Sequence, residues 1–285
     1  MNISSLIHKR KSCRAYIDRS VAPEVVRSLL ETAKWAPSGV NHQPGKVAVL
    51  GSETRKKLSK ALIEKFDSGA APNPDYEYCP TAWSEVYKNR RKACGRALYQ
   101  SLGVSLDDLE GKKRHKRRNY DFFEAPLGLI IFIEKAMPKG SWLDIGLFIQ
   151  NFLLAAEGLG LATCAQASFA DYPDVVREVL GLTGVDIVCG IAVGYEDPTH
   201  SLNSYRTERE PIDGFTHWYN PNLSGIWEAA IESLELIVKP TKWTTQPNAG
   251  NAQVVESGIN KPAKQLAKSH VSGCPVLQIL ADIPL

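Results

Sequence analysis

The sequence predicts an α+β fold, and three observations carry that expectation. Helical and strand-like periods mix along the chain without a clean βαβ rhythm. Neither G-x-G-x-x-G nor G-x-x-x-x-G-K-[ST] occurs, so the dinucleotide and P-loop fingerprints are absent. The 285 residues, 44% hydrophobic and 23% charged, suffice for a buried core and exclude a chain disordered throughout.

The elements follow in order. A first helix is predicted over 23–36: Pro23 suits its first position, Val26, Leu29, Leu30 and Ala33 recur at helical spacing, and Pro37 ends it. Lys46 to Leu50 reads as a short strand, and Leu58, Ala61, Leu62 and Phe66 mark a second amphipathic helix. Gly69, Pro72, Pro74 and Pro80 punctuate 68–82 as loop, before a helix over about 84–102. Leu127 to Ile133 is a continuous apolar run, expected as a buried strand. Ser141 is the expected N-cap of a long helix through about Gly158 that is apolar on nearly every side, and so is buried in a core or between subunits. A helix over 173–180 and a strand over 187–193 complete the pattern. The compact domain is expected to span 1–220. An additional helix over 221–239 carries Trp227, Ile231, Leu234 and Val238, and an extended or disordered tail runs over 240–285.

Charge and composition exclude several classes. The 34 basic against 31 acidic residues leave +3, too small an excess for coating nucleic acid. No segment reaches the roughly 18 uncharged apolar residues of a membrane span, and the N-terminal stretch has no signal-peptide core. The cysteines at 13, 79, 94, 164, 189 and 274 form no C-x-x-C pair, and the histidines show no ligand spacing. A reduced, cytoplasmic protein without a metal site is expected, with neither nucleic acid nor membrane as partner.

Three constellations carry chemistry. In the extended run Arg10-Lys11-Ser12-Cys13-Arg14, alternate residues 10, 12 and 14 share one side. Two guanidinium groups and a hydroxyl then converge as donors for a phosphate monoester; on composition alone, a solvated basic patch is the simpler reading. Pro37-Ser38-Gly39-Val40-Asn41-His42-Gln43-Pro44 makes a rigid turn whose amides and hydroxyl suit a neutral polar ring edge, or simply cap their own connection. Asn203 to Pro211 holds Arg206 and Arg209, either a further phosphate ligand or a self-paired surface loop.

In order, R-x-S-x-R, then P-S-x-x-N-x-Q-P, then Q-N-x-x-L-A-A-x-x-x-G-L at 150–161, then R-T-x-R-x-P, these motifs resemble the nitroreductase family of FMN enzymes over about residues 5–219. Thr163 to Ser168, Tyr120 to Phe123 and Arg209 to Phe215 look most like its nitrobenzoate-reductase branch. The resemblance implies a central mixed or antiparallel sheet flanked by helices in an intertwined homodimer, with the 141–158 helix at its interface. It implies FMN as cofactor and NAD(P)H as reductant of a nitroaromatic or similarly electron-poor aromatic substrate, by ping-pong hydride transfer through flavin N5. Other acceptors of the family (free flavin, a quinone, an activated alkene) remain open, as does flavin binding without turnover.

The implied roles are specific. Arg10, Ser12 and Arg209 hold the phosphate, with Lys11 and Arg206 beside them. Arg14 lies near N1 and O2. Pro37, Ser38, Asn41 and Gln43 reach the flavin from the second subunit, and Gln166-Ala167 present backbone donors near N5. Tyr87, Tyr120 and Phe123 belong to an aromatic cover over the substrate. No protein acid or base is implied. The sequence departs from the family at Gly45, where a Trp is usual, and in the basic run Lys112 to Arg118, which reads either as a solvated face or as an attractor for an NADPH 2′-phosphate or an acidic substrate.

Overall fold

Within the computed structural model, residues 2–219 are described. The expected helix over 221–239 and tail over 240–285 lie outside them. Contacts divide the chain into two units, Met1–Pro211 and Ile212–Leu285. The described part of the second unit holds one helical turn, Ile212–Gly214.

The first unit is built on a four-stranded antiparallel sheet. Its strands are β1 (Lys46–Leu50), β2 (Leu127–Glu134), β3 (Ala162–Gln166) and β4 (Val185–Gly194), in the order β1-β2-β4-β3. Helices cover both faces: α2 (Pro23–Ala33) and α6 (Lys139–Gly158) on one, α3 (Ser52–Asp67) and α7 (Pro173–Leu180) on the other. β2 alternates between them, with Leu127, Leu129, Ile131 and Ile133 facing α2 and α6 and Ile130 facing α3 and α7. Burial on both faces explains its unbroken apolar run.

The ladder between β2 and β4 slips once, pairing Ile131 with Cys189 and Phe132 with Ile187. Val188 is thereby left over as a bulge, and its carbonyl accepts a 2.7 Å hydrogen bond from Tyr76 Oη. Tyr76 therefore serves the sheet.

The N-cap of the α6 helix lies three residues earlier than expected. Pro138 occupies its N-cap, and Ser141 sits inside the first turn, 2% exposed, with its hydroxyl on Met137 Sδ. Proline has no N–H to lose at a helix start and outcompeted the serine signal. One side of α6 buries Ile145, Phe152, Leu153 and Ala156, whereas Leu143 is 71% exposed and Leu147 is 41% exposed. The α2 helix stops at Ala33, three residues short of the expected end.

Three elements were not legible. In α1 (Ile3–Lys9) no residue is buried, so no apolar stripe marks it. The basic run folds as α5 (Leu109–Arg118), capped by Asp108 on the Gly111 N–H. Strand β3 is Ala-Thr-Cys-Ala-Gln, small residues with weak strand preference. The helix over 84–102 is confirmed as α4 (Glu85–Ser101).

Glycines make room for an aromatic pair on the sheet. Phe122 and Phe169, ring centroids 4.2 Å apart, lie over Gly128 of β2 and Gly190 of β4. A Cβ on Gly190 would come within 2.3 Å of the Phe169 ring, which is fully buried. Gly190→Ala is therefore expected to cost about 1–3 kcal/mol of stability, read as a lower denaturation midpoint at unchanged slope.

Candidate functional site

The R-x-S-x-R segment leaves the last turn of α1 in extended form. Ser12 bridges Thr163 of β3, and the Cys13 N–H donates to the Thr163 carbonyl at 2.9 Å. Extended backbone alternates its side chains. Cys13 is accordingly buried, while Arg10, Ser12 and Arg14 face a common cavity; Lys11 also reaches its lining, although its ammonium pairs with Glu196 at 2.7 Å and donates to the Asn203 carbonyl.

Opposite them the chain after β4 brings in Arg206 and Arg209. Asn203 is the tie: 2% exposed, it accepts from the Arg14 N–H at 3.0 Å and donates to the carbonyls of Ala15 at 2.8 Å and Asp197 at 2.9 Å. Arg206 donates to the Lys9 and Arg10 carbonyls at the C-terminus of α1, where a cation complements the exposed carbonyl ends. Arg209 is folded onto Thr207, with Nη1 2.7 Å from its hydroxyl. Arg14 donates to Tyr205 Oη at 3.1 Å.

These residues line a cavity of about 80 Å³, with Cys94 of α4 on its rim. Among the described residues, no carboxylate lines it. The Arg10 pKa is held below its ordinary value, first by burial and then by the charges of Arg209 and Arg206. Glu157 opposes that shift but is itself paired with Lys9 at 2.9 Å. Crowded, partly desolvated guanidinium groups without a counter-charge favour an anion.

The other expected site residues lie elsewhere. Pro37, Asn41 and Gln43 are exposed and Ser38 is half-buried, all away from this cavity. Their turn caps itself: Ser38 Oγ accepts from the Gln43 N–H at 3.0 Å, and Gln43 Nε2 donates to the Asn41 carbonyl. Val40, Asn41 and Gln43 have positive φ of 43°, 59° and 49°. At Gly45 a Cβ would meet only Ile145 and Phe148 of α6 at ordinary contact distance, so no strain requires glycine there. Gln166 is buried, with Nε2 on the Asn119 carbonyl at 2.8 Å, and Ala167 opens the helical turn after β3. Tyr87 is 57% exposed on α4.

Tyr120 and Phe123 require a correction. Both are core residues, 0% and 1% exposed, and cannot wall a substrate site. Tyr120 Oη donates to Asp171 at 2.8 Å and its ring packs on Phe66 and Tyr172, while Phe123 packs on His115. Aromatic content in a predicted cover does not separate core rings from exposed ones. Sequence reasoning also passed over Asn203, Tyr205, Thr207 and Cys94. The first three fell within a motif singled out only for its arginines, and Cys94 carried no signal.

An α+β unit thus carries a small, arginine-lined cavity whose volume and charge match a phosphate-sized anion. Comparison with known proteins makes the class specific. The model of the Nitroreductase family matches residues 7–195, and the chain belongs to that family. It is 41% identical over 213 residues to a 4-nitrobenzoate reductase of Nocardioides sp. (strain LMS-CY), covering 73% of this chain and 86% of that one. It is 34% identical over 219 residues to a 4-nitrobenzoate reductase of Pseudomonas putida, covering 76% and 95%. Among solved structures, the FMN and NADPH-dependent nitroreductase NfnB of Sphigopyxis sp. strain HMH superposes with a TM-score of 0.76 at 31% identity, over 77% of this chain and 100% of that one. The FMN-dependent nitroreductase NfnB of Mycobacterium smegmatis, in complex with NADPH, gives a TM-score of 0.73 at 29% identity, over 76% and 97%.

Two outcomes test the geometry. Asn203→Ala removes the tie between the two arginine segments and leaves the Arg14 N–H without its acceptor; a loss of about 1–3 kcal/mol in urea denaturation is expected. His115 is buried beside Arg14, Arg118 and the rings of Tyr99 and Phe123, and burial first, then Arg14 and Arg118, lower its pKa from 6.5 to about 4. The unfolded chain thus takes up this proton first as pH falls. The contribution is whole above pH 6.5 and is lost towards pH 4, up to roughly 3 kcal/mol. His115→Gln should flatten that part of the stability profile between pH 4 and 7.

Proposed function

We propose that this chain is an FMN-dependent NAD(P)H oxidoreductase reducing nitroaromatic compounds of the nitrobenzoate type. The observation that carries the reading is the meeting of Arg10, Ser12, Arg14, Arg206 and Arg209 around one small cavity, in a chain whose relatives are named as such reductases. The residues fit the phosphate end of FMN. The cavity has the scale of a phosphate rather than of a whole mononucleotide, and among the described residues no carboxylate lines it.

Arg10, Ser12, Arg206 and Arg209 are the phosphate donors in this reading. Lys11, already paired with Glu196, acts by adding positive potential. Arg14, steadied by Tyr205, carries the charge that favours the reduced, anionic form of the ring. Bound there, FMN would supply two-electron exchange between a nicotinamide and a nitro group. Backbone donors of Gln166 and Ala167 and the exposed Tyr87 are the further contacts we assign, to the ring and to the substrate.

A homodimer belongs to the same reading. Leu143 and Leu147 leave an apolar surface on α6, and the Gly39 N–H donates to Asp144 of that helix at 3.2 Å. The turn carrying Pro37, Ser38, Asn41 and Gln43 therefore lies on the surface a second copy would cover, beside Val40, 87% exposed, and Trp35, 82% exposed. That supports their contact with a flavin held by the partner. Cys13, Cys79, Cys94, Cys164 and Cys189 are all free thiols, which suits the cytoplasm.

Purified full-length protein is expected to be yellow, to bleach with NADPH under nitrogen, and to recover its colour on adding 4-nitrobenzoate. Colourless protein that takes up no added FMN overturns the proposal. Arg10→Ala removes one charge-assisted phosphate contact, so FMN dissociation measured by fluorescence should weaken roughly 10- to 100-fold.

A further inference from the structure

A second cavity, of about 880 Å³, opens between α4 and α5, and the arginine-lined cavity does not include it. Its walls carry Arg91, Lys92 and Arg96 of α4, Lys112 of α5, and the rings of Trp83 and Tyr99. Among the described residues, none of these four cations has a carboxylate within ion-pair distance. Several surface cations elsewhere do have one, as Arg117 does with Asp67 at 2.9 Å. Each ring is already faced by a cation: Arg91 lies 5.2 Å from the Trp83 centroid and Lys112 Nζ 5.4 Å from that of Tyr99.

We propose that this groove binds a phosphorylated nucleoside, its base against Trp83 or Tyr99 and its phosphates on Lys92, Arg96 and Lys112. Three features select that class. Four uncompensated cations exceed what a single carboxylate needs and match a ligand carrying several negative charges. The half-buried rings of Trp83 and Tyr99 line the groove and offer a stacking face that inorganic anions cannot use. The volume is that of a small-molecule site, about 300–1,000 Å³, and well above that of a lone phosphate.

Two sources share this chemistry: the adenosine 2′-phosphate end of NADPH and a free nucleotide. We assign the first, and that assignment rests on the reductase reading above. The groove then distinguishes NADPH from NADH, which differ by that one phosphate.

The test uses 2′,5′-ADP as probe in calorimetry on the full-length FMN-loaded chain, beside a double variant, Lys92→Gln with Arg96→Gln. Both positions are on the exposed face of α4 and touch no proposed FMN contact. The variant is expected to bind 2′,5′-ADP at least about tenfold more weakly and to raise KM for NADPH at least about tenfold, with KM for NADH and kcat within about twofold. Equal binding by the two proteins, or displacement of the probe by inorganic phosphate as readily as by ATP, overturns the nucleotide site. Weakened probe binding with an unchanged KM for NADPH overturns the NADPH assignment and marks a free-nucleotide site. Should the chain carry no FMN and oxidise neither nucleotide, the reductase reading fails, and the calorimetry on the chain as isolated still decides the groove.

Discussion

Arginine side chains brought together without a carboxylate repel one another, and the fold has to hold them there by other means. It does so with neutral acceptors. Arg206 spends two N–H groups on the carbonyls that end α1, Arg209 is folded onto Thr207, and Arg14 leans on Tyr205 and on the Ser12 carbonyl. Each keeps its full charge and donors to spare, since a guanidinium carries five N–H groups. A carboxylate in any of these places would be the stronger tether and would cancel the positive charge of the cavity lining.

That solution depends on the sheet. The segments carrying Arg10 and Arg206 are about as far apart in sequence as the first unit allows, and they meet through hydrogen bonds to strand edges. Cys13 reaches Thr163 of β3, Ile17 reaches Tyr195 just beyond β4, and Asn203 closes the gap between them. β3 and β4 are adjacent antiparallel strands, and β4 is packed on both faces. Their spacing is thereby fixed by the core, and with it the spacing of the guanidinium groups.

How much of this could be read beforehand follows from which interactions are local. The run Leu127 to Ile133 and the Pro23 helix start were visible because burial and proline chemistry leave marks along a few consecutive residues. Alternation of extended backbone put Arg10, Ser12 and Arg14 on one side; all three line the cavity, but Lys11 between them lines it too, so alternation alone does not decide which side chains reach it. Asn203 was not legible as a tie, because its partners at Ala15 and Arg14 lie near the opposite end of the unit. Tyr120 and Phe123 were misread for a related reason. Their turn runs through left-handed backbone at Phe122, Phe123 and Glu124, with φ of 51°, 54° and 64°, which folds these rings inward. Only tertiary packing holds non-glycine residues there, and no local pattern announces it.

Helix α4 shows the same division between local and long-range logic. None of its residues is buried, so little of its stability comes from the core; polar ties such as Arg90 to Glu210 at 2.6 Å hold it in place. Helical spacing sets Lys92, Arg96 and Tyr99 towards α5 and leaves Cys94 towards the arginine cavity. One thinly anchored helix therefore forms a wall of both positively charged cavities. Substitutions at its exposed positions Lys92 and Arg96 are cheap for folding, and their effects on ligand binding can be read without the confusion of a destabilised core.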